Sequence, residues 1–183
     1  LAVKAAIDMQ TTLKQAIDKK ILGPCLPIGT EITLGVGLHF GHIEMGIIGE
    51  SGRWDSTIIS DAVNTASRVE GLTKVFGAEI LVTGEISNQI NAISGINTRR
   101  LGFMKVKGRK ERLDVHEVLD SLEPATLQSR LDTKTIFESA VADFESGDFP
   151  SASKGFERCL FEDPSDQASR HYHALCVPRQ MDK

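Results

Sequence analysis

The stretch Trp54-Asp-Ser-Thr-Ile-Ile-Ser-Asp-Ala-Val-Asn-Thr-Ala-Ser-Arg-Val-Glu-Gly-Leu-Thr-Lys74 is the most informative part of this sequence. From Asp61 to Phe76 its apolar residues recur at helical spacing, and Val63, Ala66, Val69 and Leu72 would make the buried stripe of a helix. Ser60 stands where an N-cap belongs, Asp61 puts negative charge in the first turn, and Gly77 supplies the stop. Asn64 and Arg68 lie four residues apart and therefore project from one face. A neutral amide beside a guanidinium suits a sugar oxygen and a phosphate, because Arg matches phosphate geometry bidentately and keeps its charge. The same spacing also fits a surface Asn and an Arg paired with Asp61 or another acid, which is the commoner arrangement on helix faces.

Working toward the N-terminus, Ile32, Leu34, Val36 and Leu38 alternate with Thr33, Gly35, Gly37 and His39, a strand pattern. Phe40-Gly-His42 and Ile43-Glu-Met-Gly-Ile-Ile48 follow, so residues 32–49 are expected to form a β-hairpin turning at Gly41, with a glycine-containing loop from Gly49 to Arg53. Residues 1 to about 20 carry Val3, Ala6, Ile7, Leu13 and Ile17 at helical spacing, ended by Gly23-Pro24. The chain opens inside this helical pattern at Leu1, without an initiator Met, and reads as the back part of something longer.

Beyond the central helix, Ile80-Leu-Val-Thr83 is a short apolar strand, and a helix from about Gly84 to Ile93 follows. Two more strands hold Leu101, Phe103 and Val106, then Leu113 to Val118, with a turn near Gly108. The order helix, hairpin, helix, strand, helix, hairpin means a mixed α/β or α+β sheet domain. The basic cluster Arg99, Arg100, Lys105, Lys107, Arg109, Lys110 and Arg112 lies on this last hairpin. It could meet a polyphosphate, although a solvated hairpin is its ordinary meaning.

Composition shifts at Glu123-Pro124, and five of the eight Phe fall after it. Ile136, Phe137, Ala140, Val141 and Phe144 form one helical face, and Ala152, Phe156, Cys159 and Leu160 a second. Ala168, Tyr172 and Leu175 would sit on a third helix. The chain therefore divides into a sheet domain over residues 1–120 and a helical tail over 121–183. The stretch from Ala152 to Pro164 resembles the second helix of a tetratricopeptide-type repeat.

With 183 residues, 25% of them charged and 40% apolar, the chain is of ordinary globular composition. A net charge of −4 makes it a poor nucleic-acid binder, and no apolar run reaches the roughly 18–20 residues of a membrane span. Cys25, Cys159 and Cys176 form neither a disulfide framework nor a paired metal motif, in keeping with a reducing, cytoplasmic setting. His39 with His42, and His171 with His173, are spaced wrongly for metal pairs on a strand and a helix respectively. Trp54 fits either an interface or the core.

Asp61-Ala-Val-Asn-Thr-Ala-Ser-Arg-Val-Glu-Gly-Leu-Thr-Lys74 resembles the signature helix of class III adenylate and guanylate cyclases. Gly35-Val-Gly-Leu-His-Phe-Gly-His-Ile-Glu-Met-Gly-Ile-Ile-Gly49 is similar to that family's central hairpin and Val106-Lys-Gly108 to its last one, in the right order across residues 1 to about 120. Asp55 and Thr57 before the motif resemble the bacterial branch. The resemblance implies a ferredoxin-like sheet-and-helix domain, incomplete at its N-terminus, and the helical faces after residue 120 add a C-terminal α-helical hairpin to it. It also implies a homodimer with composite active sites, ATP as substrate, and an upstream sensor domain as a partner. Asn64 then matches the residue that orients the ribose, and Arg68 the one that stabilises charge on the α-phosphate as the 3′-oxygen attacks. Lys107 matches the position holding the terminal phosphates, and Thr57 the position that reads the purine. A hydroxyl there is similar to adenylate rather than guanylate cyclases.

There are departures. The aspartates that hold Mg²⁺ or Mn²⁺ in the family, and the Lys that assists purine reading, would precede Leu1, so the resemblance implies no metal ligand within this chain and no activity from it alone. Gly35 stands where many members carry a phosphate-contacting Arg, and Ser60 where a Gly is common. A guanylate cyclase of the same fold and a non-catalytic cyclase-like scaffold are the alternatives.

Overall fold

A computed structural model describes residues 1–19, 21, 32–50, 53–93, 95–105 and 111–180, with the backbone alone described for 47–50, 53–59, 91–93 and 178–180. The chain runs α1 (Ala2–Asp18), β1 (Val36–Leu38), β2 (Glu44–Glu50), β3 (Arg53–Ile59), α2 (Asp61–Phe76), β4 (Ile80–Thr83) and α3 (Gly84–Ile93). It continues with β5 (Thr98–Met104), β6 (Leu113–Val118), α4 (Pro124–Ser146), α5 (Phe149–Glu162) and α6 (Gln167–Gln180). A four-stranded mixed sheet has the order β1-β4-β6-β5, and β2 and β3 form a separate ribbon.

The expected hairpin over 32–49 is not what forms. β1 pairs with β4 in parallel, Val36 opposite Ile80 and Leu38 opposite Val82. β2 instead pairs with β3, with Met45 opposite Ile58 and Glu50 opposite Arg53. Parallel neighbours need a crossover, and the β2–β3 ribbon and α2 together supply it. The run Trp54-Asp-Ser-Thr-Ile-Ile59, aromatic at one end and β-branched at the other, was a strand signal of its own.

α2 begins and ends as its sequence dictates. The Ser60 hydroxyl accepts a hydrogen bond from Ala62 N, and Gly77 adopts a left-handed φ of 62°. Its buried face, however, is Thr65, Val69, Thr73 and Phe76 rather than the expected Val63, Ala66, Val69 and Leu72, and Val63 is 46% exposed. The cause lies in β1. A Cβ added at Gly37 would run into the backbone of Ala66 and Glu70, so glycine lets the helix approach the strand main chain to main chain. That close crossing fixes which side of α2 turns inward, and hydrophobicity alone does not reveal it.

Both faces of the sheet are covered, which agrees with the continuous burial of Ile80, Leu81, Val82 and Thr83 in β4. On one face Val3 and Ala6 of α1, with Ile86 and Ile90 of α3, pack on Ile80, Val82 and Val118. On the other, Val69 and Phe76 of α2 join Leu81, Leu101, Leu113 and Val115 of the sheet, and Phe137, Val141, Phe156 and Tyr172 of the C-terminal helices. Hydrophobic packing is therefore continuous from the sheet into residues 124–180. Phe137 and Phe156 are fully buried, each worth on the order of 1.5–3 kcal/mol. The expected helical pair is α4 with α5, and α6 adds a third helix that lies on both α5 and α2.

Candidate active site

Asn64 and Arg68 sit one turn apart in the first half of α2, Asn64 exposed and Arg68 half-buried. They flank the buried line made by Thr65 and Val69, so the packing that buries those two presents the amide and the guanidinium outward. Among the described residues Arg68 has no ion pair, which removes the plain pairing with Asp61 as its explanation. The start of α2 is tied down by Ser60, whose hydroxyl also donates to the His42 carbonyl at 2.6 Å. Thr65 bonds back to the Asp61 carbonyl at 2.8 Å. Several apolar side chains in this part of the chain are exposed: Phe40 is 65% and Met45 73% exposed, with Ile43 and Val63 also exposed. Isolated exposed apolar side chains mean little, but this group gathers along the β2 approach and the start of α2.

Thr57 lies on β3 opposite Gly46, and only its backbone is described. Lys107, the turn near Gly108 and Cys25 fall outside the described residues. The structure thus brings Asn64 and Arg68 together on one helix and says nothing of the Thr57 and Lys107 side chains. Gly35 packs against Thr73 and Glu70, where an added Cβ would overlap the Thr73 hydroxyl. A phosphate-contacting Arg therefore has no room at that position.

The basic cluster changes meaning. Arg99 is fully buried, not solvated and not facing a polyphosphate. It donates to Glu117 at 2.6 and 3.0 Å and to Asp166 at 2.7 Å, and lies 4.1 Å from the centre of the Phe137 ring. Arg130 of α4 completes the group, ion-paired with Asp163 and Asp166. Burial opposes charge on both partners. The two carboxylates nevertheless hold Arg99 charged, and Arg99, Arg130 and Ser169 hold the Asp166 carboxyl well below the usual carboxylate range. Arg100 is likewise taken, by Asp114 at 2.8 Å and Glu145 at 3.0 Å. The sequence carried a signal for this: Glu117 stands directly before the apolar pair Val118-Leu119 and two residues after Val115, and a charge so placed needs a partner.

Further polar groups are structural. His39 Nδ1 lies 3.2 Å from the Thr83 hydroxyl, and His173 Nε2 3.1 Å from Glu157. His171 packs edge-on against Phe76 at 5.3 Å, and burial pushes its pKa down. Ser87, His116 and Asp114 form a chain of contacts at 3.1 and 3.0 Å. Ser87 is fully buried and shares its hydroxyl with Thr98, so no substrate carbonyl can reach it. Among the described residues no group of three or more His, Cys, Asp or Glu could hold a metal ion. The Mg²⁺ or Mn²⁺ implied by the resemblance has no ligand set among them.

The helix that presents Asn64 and Arg68 thus lies over a mixed sheet and follows a separate β-ribbon. The chain belongs to the adenylate and guanylate cyclase catalytic domain family, whose model matches residues 1–119. It is 38% identical over 118 residues to an adenylate cyclase of Anabaena cylindrica, a stretch covering 64% of this chain and 24% of that protein. It is 26% identical over 149 residues to the terminal-differentiation-specific adenylate cyclase of Dictyostelium discoideum, covering 81% of this chain and 7% of that one. The chain thus spans about a quarter or less of these relatives' length. The crystal structure of an adenylyl cyclase from P. aeruginosa aligns with a TM-score of 0.46 at 26% identity, over 62% of this chain and 58% of that chain. No helix among the described residues is long and apolar enough to cross a membrane.

Proposed function

We propose that this chain is part of a homodimeric adenylate cyclase that converts ATP to 3′,5′-cyclic AMP and pyrophosphate in intracellular signalling. The observation that carries the reading is the Asn64–Arg68 pair, outward on a helix whose opposite side is locked against the sheet. Asn64 would orient the ribose so that its 3′-oxygen faces the α-phosphorus. The 3′-oxygen loses its proton, bonds to phosphorus, and the bond to the β-phosphate oxygen breaks to release pyrophosphate. Arg68 would donate to the α-phosphate oxygens as negative charge accumulates there, a fixed cation already in place when the barrier is crossed. Lys107 would hold the terminal phosphates, and Thr57 the adenine amino group. Both relatives reported above are named adenylate cyclases, which supports ATP over GTP.

The exposed Phe40, Ile43, Met45 and Val63 support the dimer, since the segment holding Phe40 and Ile43 lies against the start of α2 through Gly41 and His42. A composite site there would draw its remaining groups from the second subunit. The metal ligands, and a sensor domain that sets activity, are assigned to sequence upstream of Leu1, and residues 1–183 alone are expected to be inactive. The test is product identification. The full-length protein, given ATP and GTP together with Mn²⁺, should release cyclic AMP in excess by mass spectrometry. Mostly cyclic GMP overturns the Thr57 role, and no cyclic product from a folded dimer overturns the enzyme in favour of a scaffold.

A further inference from the structure

The family model ends at residue 119, yet the helices beyond it grip the catalytic framework at two separated places. The first is the outer edge of β5, the last strand of the sheet. Arg100 N donates to Glu138 at 2.8 Å, Phe103 N donates to Glu145 at 2.7 Å, and the Leu101 carbonyl accepts from the Tyr172 hydroxyl. Side chains of α4 and α6 thus take the main-chain groups that an edge strand leaves open.

The second is the C-terminal end of α2. Gln167 Nε2 donates to the carbonyls of Lys74 at 3.0 Å and Val75 at 3.3 Å, two of the acceptors that a helix end leaves without partners. At Gly77 an added Cβ would lie 2.7 Å from the Gln167 side chain, so the residue that ends α2 also makes room for its clamp. Phe76 packs on the rings of His171 and Tyr172 at 5.3 and 6.0 Å.

These two grips are mechanically one. Tyr172 touches α2 through its ring and β5 through its hydroxyl. Asp166, the residue before Gln167, is anchored to β5 by Arg99 and caps α6 through Ser169, at 3.1 Å to its amide and 2.7 Å to its hydroxyl. The start of α6 is therefore nailed to the sheet at one residue and to α2 at the next.

We propose that the C-terminal helices are a bracket on the catalytic framework, in which Gln167 and Tyr172 are positioning residues that fix the placement of α2 and hence of Asn64 and Arg68. The inference rests on the reading of those two residues as the catalytic pair. Since Arg68 is assigned to the transition state, displacing α2 acts on kcat rather than on ground-state binding. A small misplacement of a reacting group is costly even when it originates far from the chemistry.

The test uses the full-length protein with ATP and Mn²⁺. Gln167→Ala and Tyr172→Phe should each lower kcat about 3- to 30-fold while KM for ATP stays within twofold. Gln167→Lys, which keeps a donor for the two carbonyls, should recover most of the loss. Hydrogen exchange at the last-turn amides of α2 should rise in Gln167→Ala with no change in α1. Unchanged kcat in both variants of an active enzyme overturns the bracket and leaves the cyclase reading intact. A parallel rise in KM, or loosening spread evenly over the domain, also overturns it by making the role generally structural. A wild-type protein without cyclase activity overturns the functional reading, and the bracket with it.

Discussion

The two ends of α2 are built for different purposes. Its C-terminal end is enclosed on one side: Gly77 turns the chain, Gln167 takes two carbonyls at the surface, and Phe76, 3% exposed, packs on aromatic rings, while Lys74 and Val75 stay exposed. Its N-terminal half is open: the Ser60 cap leads into exposed Val63 and Asn64, and Phe40 and Met45 are exposed as well. One end spends interactions on holding the helix still, and the other leaves side chains available to a ligand or a second subunit. A reacting group is useful only if its support is rigid, so the enclosed end is what makes the open end precise.

The difference also separates the arginines. Arg99 and Arg68 carry the same group, but Arg99 is fully buried between two carboxylates while Arg68 lacks an ion pair among the described residues. The sharpest way to break the enclosed side is Arg99→Ala. It leaves Glu117 buried without a cation and Asp166 with Arg130 alone, and should cost about 3–5 kcal/mol, read as a lower urea midpoint. On the open side, Arg68→Ala should lower kcat of the full-length protein about 10²–10³-fold while the urea midpoint stays nearly unchanged. A large stability loss in Arg68→Ala would erase the contrast.

A milder probe is Gly77→Ala. The left-handed backbone strains any side chain and the added Cβ meets Gln167, so a loss of roughly 1–2 kcal/mol is expected by thermal unfolding. The gentlest is pH. The Asp166 carboxyl titrates below its unfolded value in the native protein. Its contribution is therefore complete above the unfolded pKa of about 3.9 and is lost as pH falls through the lower native value. The urea midpoint should show little of this effect from pH 7 to 5 and decline below about 4, and Asp166→Asn should start lower and decline less.

Much of the molecule was legible in the sequence because local chemistry sufficed. The Ser60 cap, the Gly77 stop, the apolar run of β4 and the Asn64–Arg68 spacing all rest on neighbours within one turn or one strand. What was missed depends on partners distant in sequence. The pairing of β1 with β4 is decided by a crossover through α2, not by the alternation of 32–38 or by Gly41. The inward face of α2 is decided by the absent side chain of Gly37, some thirty residues earlier. The fate of Arg99 is decided by Asp166 across sixty-seven positions. In each case the deciding partner is distant in sequence, and the local pattern does not name it.

The junction at residues 166 and 167 has a consequence for how this sequence can drift. Asp166 answers to the sheet and Gln167 to α2, and each further residue in a helix turns by about 100°. Inserting one residue between them would put the pair out of phase, so that satisfying one anchor points the other away. Substitutions on the exposed faces of α5 and α6 leave the phase untouched. The junction works as a gauge of chain length, permissive toward what the surrounding residues are and strict about how many there are.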